Sequence, residues 1–256
     1  MLKEIIGIAK EAGEAMLDIY HDAQDVEITR KDDDSPLTKA DLASHHIIID
    51  ALKELDPDTP VISEESGIPK YEERKEWTKF WIVDPLDGTK EFIKKNGEFT
   101  VNIALIEDGQ PIMGVVYVPD KRTIYYAEKG KGSFKQVSTD SPERIFSSES
   151  NKNDELTAVQ SRSHGSDKLV DQLKEKGLTV KKTIPAGSSI KFCLVAEGKA
   201  DIYPRMGPTM EWDVAAGDAV YRYSAWEGSH DSPLTYNKPD LKNSGFLIGL
   251  EDNVEF

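Results

Sequence analysis

Phe80-Trp81-Ile82-Val83-Asp84-Pro85-Leu86-Asp87-Gly88-Thr89-Lys90-Glu91-Phe92 is the stretch on which the reading of this chain turns. Its four opening residues are large and apolar, the mark of a buried strand. Pro85 has no amide hydrogen and a fixed φ, so the strand is expected to stop at Asp84. Asp84 and Asp87 then share a turn just beyond a strand end. Gly88 permits a positive φ or the close approach of a ligand. Thr89 is placed to cap a short helix over about 90–95. Two carboxylates on one turn repel each other, and a hard divalent cation held by oxygen ligands relieves the repulsion. The amides that open the next helix favour an anion such as phosphate. Together these features point to metal-assisted phosphoryl transfer to water. Taken alone, Asp-Pro-x-Asp-Gly is also read as a turn whose acids only cap and solvate it.

The chain has 256 residues, enough for one large domain or two tightly joined halves. Its net charge of −15 is spread along the sequence, which argues against binding nucleic acid polymers or anionic membranes non-specifically. The same charge makes an anionic substrate depend on bound cations and local lysines. The single cysteine, Cys193, excludes an intrachain disulfide and suits a reducing compartment. Met1-Leu2-Lys3-Glu4-Ile5 lacks the basic start and apolar core of a signal peptide. No run reaches the ~18 apolar residues of a spanning helix. A cytoplasmic protein is expected; weak peripheral membrane association, and either a monomer or a homodimer, are compatible with this.

Outward from the central stretch, other elements also end in acids. Leu2, Ile5, Ile6, Ala9, Met16 and Ile19 mark one face of a first helix. A short strand over 24–31 and an Asp-rich turn over 32–36 follow. Thr38 is placed to cap a second helix, with Asp41 in its first turn, where an acid also simply complements the dipole. His45 and His46 are adjacent, do not share a helix face and make no chelating pair. Val61-Ile62-Ser63 delivers Glu64 and Glu65 to a strand end. The uneven, charged stretch 68–79 is expected to be a mobile segment near the site, anchored by Trp77. Strands over 99–106 and 112–118 form a hairpin through Asp108-Gly109, and a meander continues past Gly130 and Gly132 with one packed face. The polar stretch 137–154 is expected to link an N-terminal half, 1–137, to a C-terminal half, 155–256.

The second half reads as a strand over 157–161, a helix over 167–176 and a strand over 178–183. His164 sits in a loop, structural or on the substrate side. Gly187-Ser188-Ser189 opens a helix that is apolar nearly all round, hence buried. Lys191, in the first turn of that helix, opposes the dipole preference and needs a partner, either a phosphate or a carboxylate. Cys193 is a small buried apolar residue rather than a nucleophile. A strand over 201–205 leads to Trp212-Asp213, and Asp213 opens a helix that capping alone would also explain.

The central string resembles the signature of the inositol monophosphatase-like metal-dependent phosphatases. Lys90-Glu91-Phe92 after Asp87-Gly88-Thr89 resembles their 3′(2′),5′-bisphosphate nucleotidase branch, since inositol monophosphatases more often carry Thr-Asn-Phe there. Thr38 with Asp41, Glu64-Glu65-Ser66, Gly187-Ser188-Ser189 with Lys191-Phe192-Cys193, and Trp212-Asp213 resemble the remaining elements in order. The likeness therefore spans essentially the whole chain. It implies an α+β fold layered α/β/α/β/α, as in the sugar phosphatases, with two tightly joined halves rich in antiparallel strands around a cleft. It implies two Mg²⁺ ions, with room for a third near Glu64. Glu64, Asp84 and the Leu86 carbonyl would hold the first, and Asp84, Asp87 and Asp213 the second. A metal-activated water oriented by Thr89 and Asp41 would attack phosphorus in line. Gly88, Thr89, Gly187, Ser188, Ser189, Lys191, Tyr203, Arg205 and Asp213 would lie along the substrate, with Arg205 as a phosphate clamp. The implied reaction removes the 3′-phosphate of adenosine 3′,5′-bisphosphate (PAP) to give AMP, with PAPS to APS as a related conversion. The alternatives are an inositol or sugar monophosphatase on the same scaffold, and a non-catalytic cation or nucleotide sensor.

Overall fold

Each residue from Phe80 to Val83 is at most 1% exposed, because their strand lies inside a sheet covered on both faces. The computed structural model describes residues 1–22, 28–30, 36–162 and 168–250. The Asp-rich turn over 32–35, His164 and most of the expected strand over 24–31 lie outside the described residues.

Helix α1 (Leu2–His21) is followed by the antiparallel pair β1 (Ile28–Arg30) and β2 (Pro36–Thr38), and by helix α2 (Lys39–Leu55). Strand β3 (Val61–Ser63) and the helical turn α3 (Tyr71–Arg74) precede β4 (Lys79–Asp87) and the short helix α4 (Thr89–Ile93). A meander follows: β5 (Thr100–Glu107), β6 (Gln110–Val118), β7 (Thr123–Glu128), β8 (Gly132–Val137) and β9 (Glu143–Ile145). Then come β10 (Glu155–Ser161), α5 (Lys168–Glu175), β11 (Thr179–Ala186) and α6 (Ile190–Ala196). The described chain closes with β12 (Tyr203–Arg205), β13 (Thr209–Met210), α7 (Glu211–Arg222), β14 (Lys242–Asn243) and β15 (Phe246–Ile248).

Strands β3 to β9 form a seven-stranded sheet in sequence order, antiparallel except where β3 runs parallel to β4. Successive side chains of a strand point to opposite faces, and the core divides accordingly. Trp81 and Val83 pack with Ile5, Met16, Ile48 and Leu52 of α1 and α2. Phe80 and Ile82 pack with Phe192, Val214 and Val220 of α6 and α7. That helical layer also meets Val159 of β10 and Ala186 of β11, while Leu169 and Leu173 of α5 pack with Leu156 on the far face of β10. The result is the expected α/β/α/β/α layering. Among the described residues, no helix is long and apolar enough to cross a membrane.

Five local expectations are corrected. Strand β4 does not stop at Asp84. Its pairing with β5 shifts register between Asp84 and Asp87, so Pro85 sits in a bulge where no ladder amide is required. Gly88, at φ 93°, caps α4, and Thr89 is its first residue rather than its cap. In the second half, expected to be rich in antiparallel strands, β10 and β11 are parallel, because α5 carries the chain back across the sheet between them. The polar stretch after 137 supplies β9, which pairs with β8 and buries Ile145. The segment 68–79 is tied down rather than loose. Arg74 is 2% exposed and donates to Asn237 Oδ1 at 2.9 Å, the Lys238 carbonyl at 2.7 Å and the Pro239 carbonyl at 2.9 Å. Trp77 packs against the core as its anchor.

Replacing Arg74 by Met keeps most of the side-chain volume but strands those three acceptors. The variant is expected to unfold about 3 kcal/mol more easily, read as a lower denaturant midpoint at unchanged slope. A wild-type midpoint would show that 68–79 is held by something other than this guanidinium.

Candidate active site

The bulge in β4 is held from both sides. Ser44 of α2 donates its hydroxyl to the Pro85 carbonyl at 2.7 Å, and the Leu86 amide donates to Asp84 Oδ1 at 3.1 Å. Asp84 is thereby fixed inside the protein at 1% exposure, and Glu64 at the end of β3 donates its amide to the neighbouring Val83 carbonyl at 3.2 Å. Beyond the bulge, Asp87 pairs in register with Thr100. The positive φ of Gly88 then turns the chain into α4, and a Cβ there would stand 3.1 Å from the Glu98 carbonyl oxygen.

Two other acids come from helix starts. Asp41 is the third residue of α2; its Oδ2 accepts from the Thr38 amide at 2.8 Å and the Thr38 hydroxyl at 2.6 Å. Its Oδ1 faces the Thr89 hydroxyl at 3.4 Å, so the pair expected to orient water stands side by side. Asp213 is the third residue of α7, and its Oδ2 accepts from the Met210 amide at 2.8 Å. Ser189 knits these parts together. It accepts from Asn102 Nδ2 at 2.9 Å, and its single hydroxyl proton lies between the Asp213 carbonyl at 2.9 Å and Asp87 Oδ2 at 3.2 Å.

Burial dominates the electrostatics, and like charge adds to it. Burial pushes the Asp84 carboxyl well above its ordinary range, and Glu64, Asp87 and Asp213 push it further. Asp87 and Asp213 reach the cavity wall, yet protein atoms surround them. Burial raises both, and the Asp213 carboxyl is pushed up to about 8, Asp87 adding to the rise. Lys191 is lowered by its own burial although Asp87 opposes the shift. Desolvation therefore outweighs ion pairing on both sides of this contact. Among the described residues, no three His, Cys, Asp or Glu side chains stand close enough to form a closed chelate. Asp87 and Asp213 line a cavity, Asp84 lies buried behind them with Glu64 beside it, and Leu86 sits in the bulge between Asp84 and Asp87. Neighbouring carboxylate oxygens fit the chemistry of a hard divalent cation.

A cavity of about 320 Å³ opens beside the acids. Asp87 and Asp213 line it, as do the expected substrate residues Gly88, Thr89, Gly187, Ser188, Lys191, Tyr203 and Arg205. Lys191 is 6% exposed and donates to the Ser188 carbonyl at 2.5 Å. Arg205 folds back on its own loop, donating to the Gly207 carbonyl at 3.2 Å and the Pro208 carbonyl at 3.1 Å. Ser189, expected along the substrate, is instead buried beneath the wall at 2% exposure. Helices α4 and α6 are five and seven residues long, so aligned dipoles supply little of the positive potential expected of them. Lys191 and Arg205 supply it.

His45 is buried with its Nδ1 3.0 Å from the Ser63 hydroxyl, and His46 is exposed, so neither forms part of the acidic cluster. Sequence reasoning missed Asn102 and Glu98. Asn102 did leave a signal, as a polar residue inside the otherwise apolar run Val101–Ile106. Glu98 left none, since an acid beside a turn is ordinary.

The profile of the inositol monophosphatase family matches residues 1–223. The 3′(2′),5′-bisphosphate nucleotidase CysQ of Salmonella typhimurium is 48% identical over 254 residues, covering 98% of this chain and 100% of its own. The protein of the same name from Escherichia coli K12 is 43% identical over 256 residues, with the same coverage. The crystal structure of CysQ from Bacteroides thetaiotaomicron matches with a TM-score of 0.80 at 42% identity, covering 98% of this chain and 97% of that one.

The acid cluster makes stability depend on pH in a defined direction. Asp213, raised from 3.8 to about 8, contributes stability that is full below the unfolded value and is lost as pH rises through the folded one. In EDTA this contribution is expected to lower the melting temperature from pH 5 to pH 8. Added Mg²⁺ is expected to raise the melting temperature more at pH 8 than at pH 6, releasing protons on binding. Calorimetry in two buffers of different ionisation enthalpy checks the proton release. A Mg²⁺ effect that is the same at both pH values would contradict the arrangement.

Proposed function

The chain belongs to the inositol monophosphatase family, and from that premise we propose that it is a Mg²⁺-dependent 3′(2′),5′-bisphosphate nucleotidase. It removes the 3′-phosphate of adenosine 3′,5′-bisphosphate, leaving AMP and inorganic phosphate. One observation carries the choice of substrate. Lys191, buried, and Arg205 face the same cavity as Asp87 and Asp213. The acids need a cation-bound phosphate, and the lysine and arginine suit a second phosphate that stays on the product. An inositol monophosphate has no second anion to place there.

In this reading the first half of the chain, 1–137, supplies most metal ligands. The second half, 155–256, supplies the last ligand and the substrate cations. Glu64, Asp84 and the Leu86 carbonyl would hold one Mg²⁺, Asp84, Asp87 and Asp213 would hold a second, and a third would lie near Glu64. When bound, the ions supply the positive charge that offsets the acids and makes a water nucleophilic at neutral pH. The protein's own groups do the rest. Thr89 and Asp41 hold the attacking water. Thr89 Oγ1 accepts from it, and Asp41 Oδ1 takes up the departing proton, while the Thr38 amide and hydroxyl hold Oδ2. Gly88 and Gly187 keep the cavity wall free of side chains. Lys191 and Arg205 bind the retained phosphate and set phosphorus in line with the water. No side chain forms a covalent intermediate; Cys193 is wholly buried and its thiol is held well above its ordinary range by burial. The buried single cysteine also agrees with a cytoplasmic enzyme.

A side-by-side phosphate-release assay tests the substrate. The protein with Mg²⁺ is expected to favour adenosine 3′,5′-bisphosphate over inositol 1-phosphate and to be inactive in EDTA. Equal kcat/KM on both would return it to the monophosphatases. Asp87→Asn is expected to lose activity by orders of magnitude while remaining folded by circular dichroism, and wild-type turnover would refute its role as a ligand.

A further inference from the structure

We propose that Glu98 is a positioning residue that holds the Gly187–Ser188–Ser189 turn, and through it Lys191, at the depth where the retained phosphate binds. The inference rests on the nucleotidase reading above. Glu98 belongs to the connection between α4 and β5, yet its carboxylate accepts hydrogen bonds from Arg162 and Gly187 in the second half of the chain. Arg162, at the end of β10, grips it in a two-pronged contact, Nε to Oε2 at 2.6 Å and Nη2 to Oε1 at 2.7 Å. The Gly187 amide donates to Oε2 at 2.8 Å, and Lys121 approaches Oε1 at 3.9 Å. Arg162 also donates to the Pro185 carbonyl at 3.1 Å through Nη2 and to the Ala186 carbonyl at 3.1 Å through its amide. The whole end of β11 is thus drawn against residue 98. The carboxylate is 10% exposed. Burial alone would raise it, but the bonds from Arg162 and Gly187 hold it below its ordinary range. It is therefore an anion throughout the neutral range.

A clamp this close admits only glycine at 187. A Cβ there would stand 2.7 Å from the Glu98 carbonyl oxygen and 2.9 Å from its Cβ. The next residue, Ser188, is held at φ 43°, a conformation that a serine keeps only when its surroundings impose it. Two contacts impose it here. Glu98 holds the Gly187 amide on one side, and Lys191 Nζ donates to the Ser188 carbonyl on the other. The geometry links the acid to Lys191 in three steps along one turn. Glu98 itself bonds neither Asp41 nor Thr89, and the turn reaches Asp87 of β4 only through the Ser189 hydroxyl, which Asn102 and the Asp213 carbonyl also hold. Its loss should therefore be felt by the phosphate that stays and not by the one that leaves.

The test uses Glu98→Gln, which preserves shape but removes the charge and one of the two acceptors. Kinetics are measured with Mg²⁺ on adenosine 3′,5′-bisphosphate and on 3′-AMP, which lacks the second phosphate. AMP affinity is measured by calorimetry, and thermal unfolding checks that the variant is folded. KM for the bisphosphate and Kd for AMP are each expected to rise about tenfold, the worth of one charge-assisted hydrogen bond. kcat should stay within about twofold, and kcat/KM on 3′-AMP should match the wild type. Glu98→Asp should fall between the two. An equal loss on both substrates, a loss in kcat alone, or no change overturns the proposal. A wild type that binds AMP in a Glu98-dependent way without turning over the bisphosphate would sink the nucleotidase reading and leave this one standing. A wild type that does neither sinks both.

Discussion

The mutual repulsion of Glu64, Asp84, Asp87 and Asp213 inside a folded protein is the constraint to which the rest of the molecule answers. Gathering carboxylates where the dielectric is low costs stability, and the cost falls on whichever groups must stay ionised. The raised Asp84, Asp87 and Asp213 carboxyls are that cost written as protonation. A fold can tolerate it only by holding the acids rigidly from outside. The five layers provide this. Strand β4 is clamped between two apolar helical layers, so its C-terminal end cannot splay when its acids repel. Lys191 offsets part of that charge at Asp87.

Three acids solve the same problem in the same way. Asp84 gives Oδ1 to the Leu86 amide, Asp41 gives Oδ2 to Thr38, and Asp213 gives Oδ2 to the Met210 amide. One oxygen fixes the side chain to the backbone of its own element, and the second is presented to the site. Capping and chemistry are therefore not competing explanations for these residues. The cap sets the rotamer, and a carboxylate whose rotamer is set can serve in a site that tolerates little misplacement. Asn would cap almost as well but would bring no charge.

This dual use explains what could be read from the sequence. The apolar run Phe80–Val83, the hairpin at Asp108-Gly109 and the helix start at Thr38-Asp41 follow from local patterning, and the structure has all three. The acids at element ends were legible because each leaves a mark beside a strand or helix boundary. The bulge at Pro85 was not, because a proline that ends a strand and a proline that sits in a bulge look alike until the partner strand is known. The parallel β10–β11 pair also hid, since strand direction depends on where α5 packs. Ser189, Asn102 and Glu98 act across the cavity between residues up to about a hundred positions apart, and no local pattern records such contacts.

The overall charge of −15 sharpens the demand on the cavity. A polyanionic ligand approaches against the field of the surface and then meets a wall of carboxylates. Positive charge must therefore be concentrated inside, where screening by solvent is weakest and each cation counts most. Lysine and arginine play different parts in that concentration. Lys191, a point charge on a flexible stem, is anchored by its bond to the Ser188 carbonyl, so its position is only as good as the turn beneath it. Arg205 keeps its fork turned toward the Gly207 and Pro208 carbonyls of its own loop. Lys191 and Arg205 line one cavity with Asp87 and Asp213, so positive and negative groups face each other across the same space.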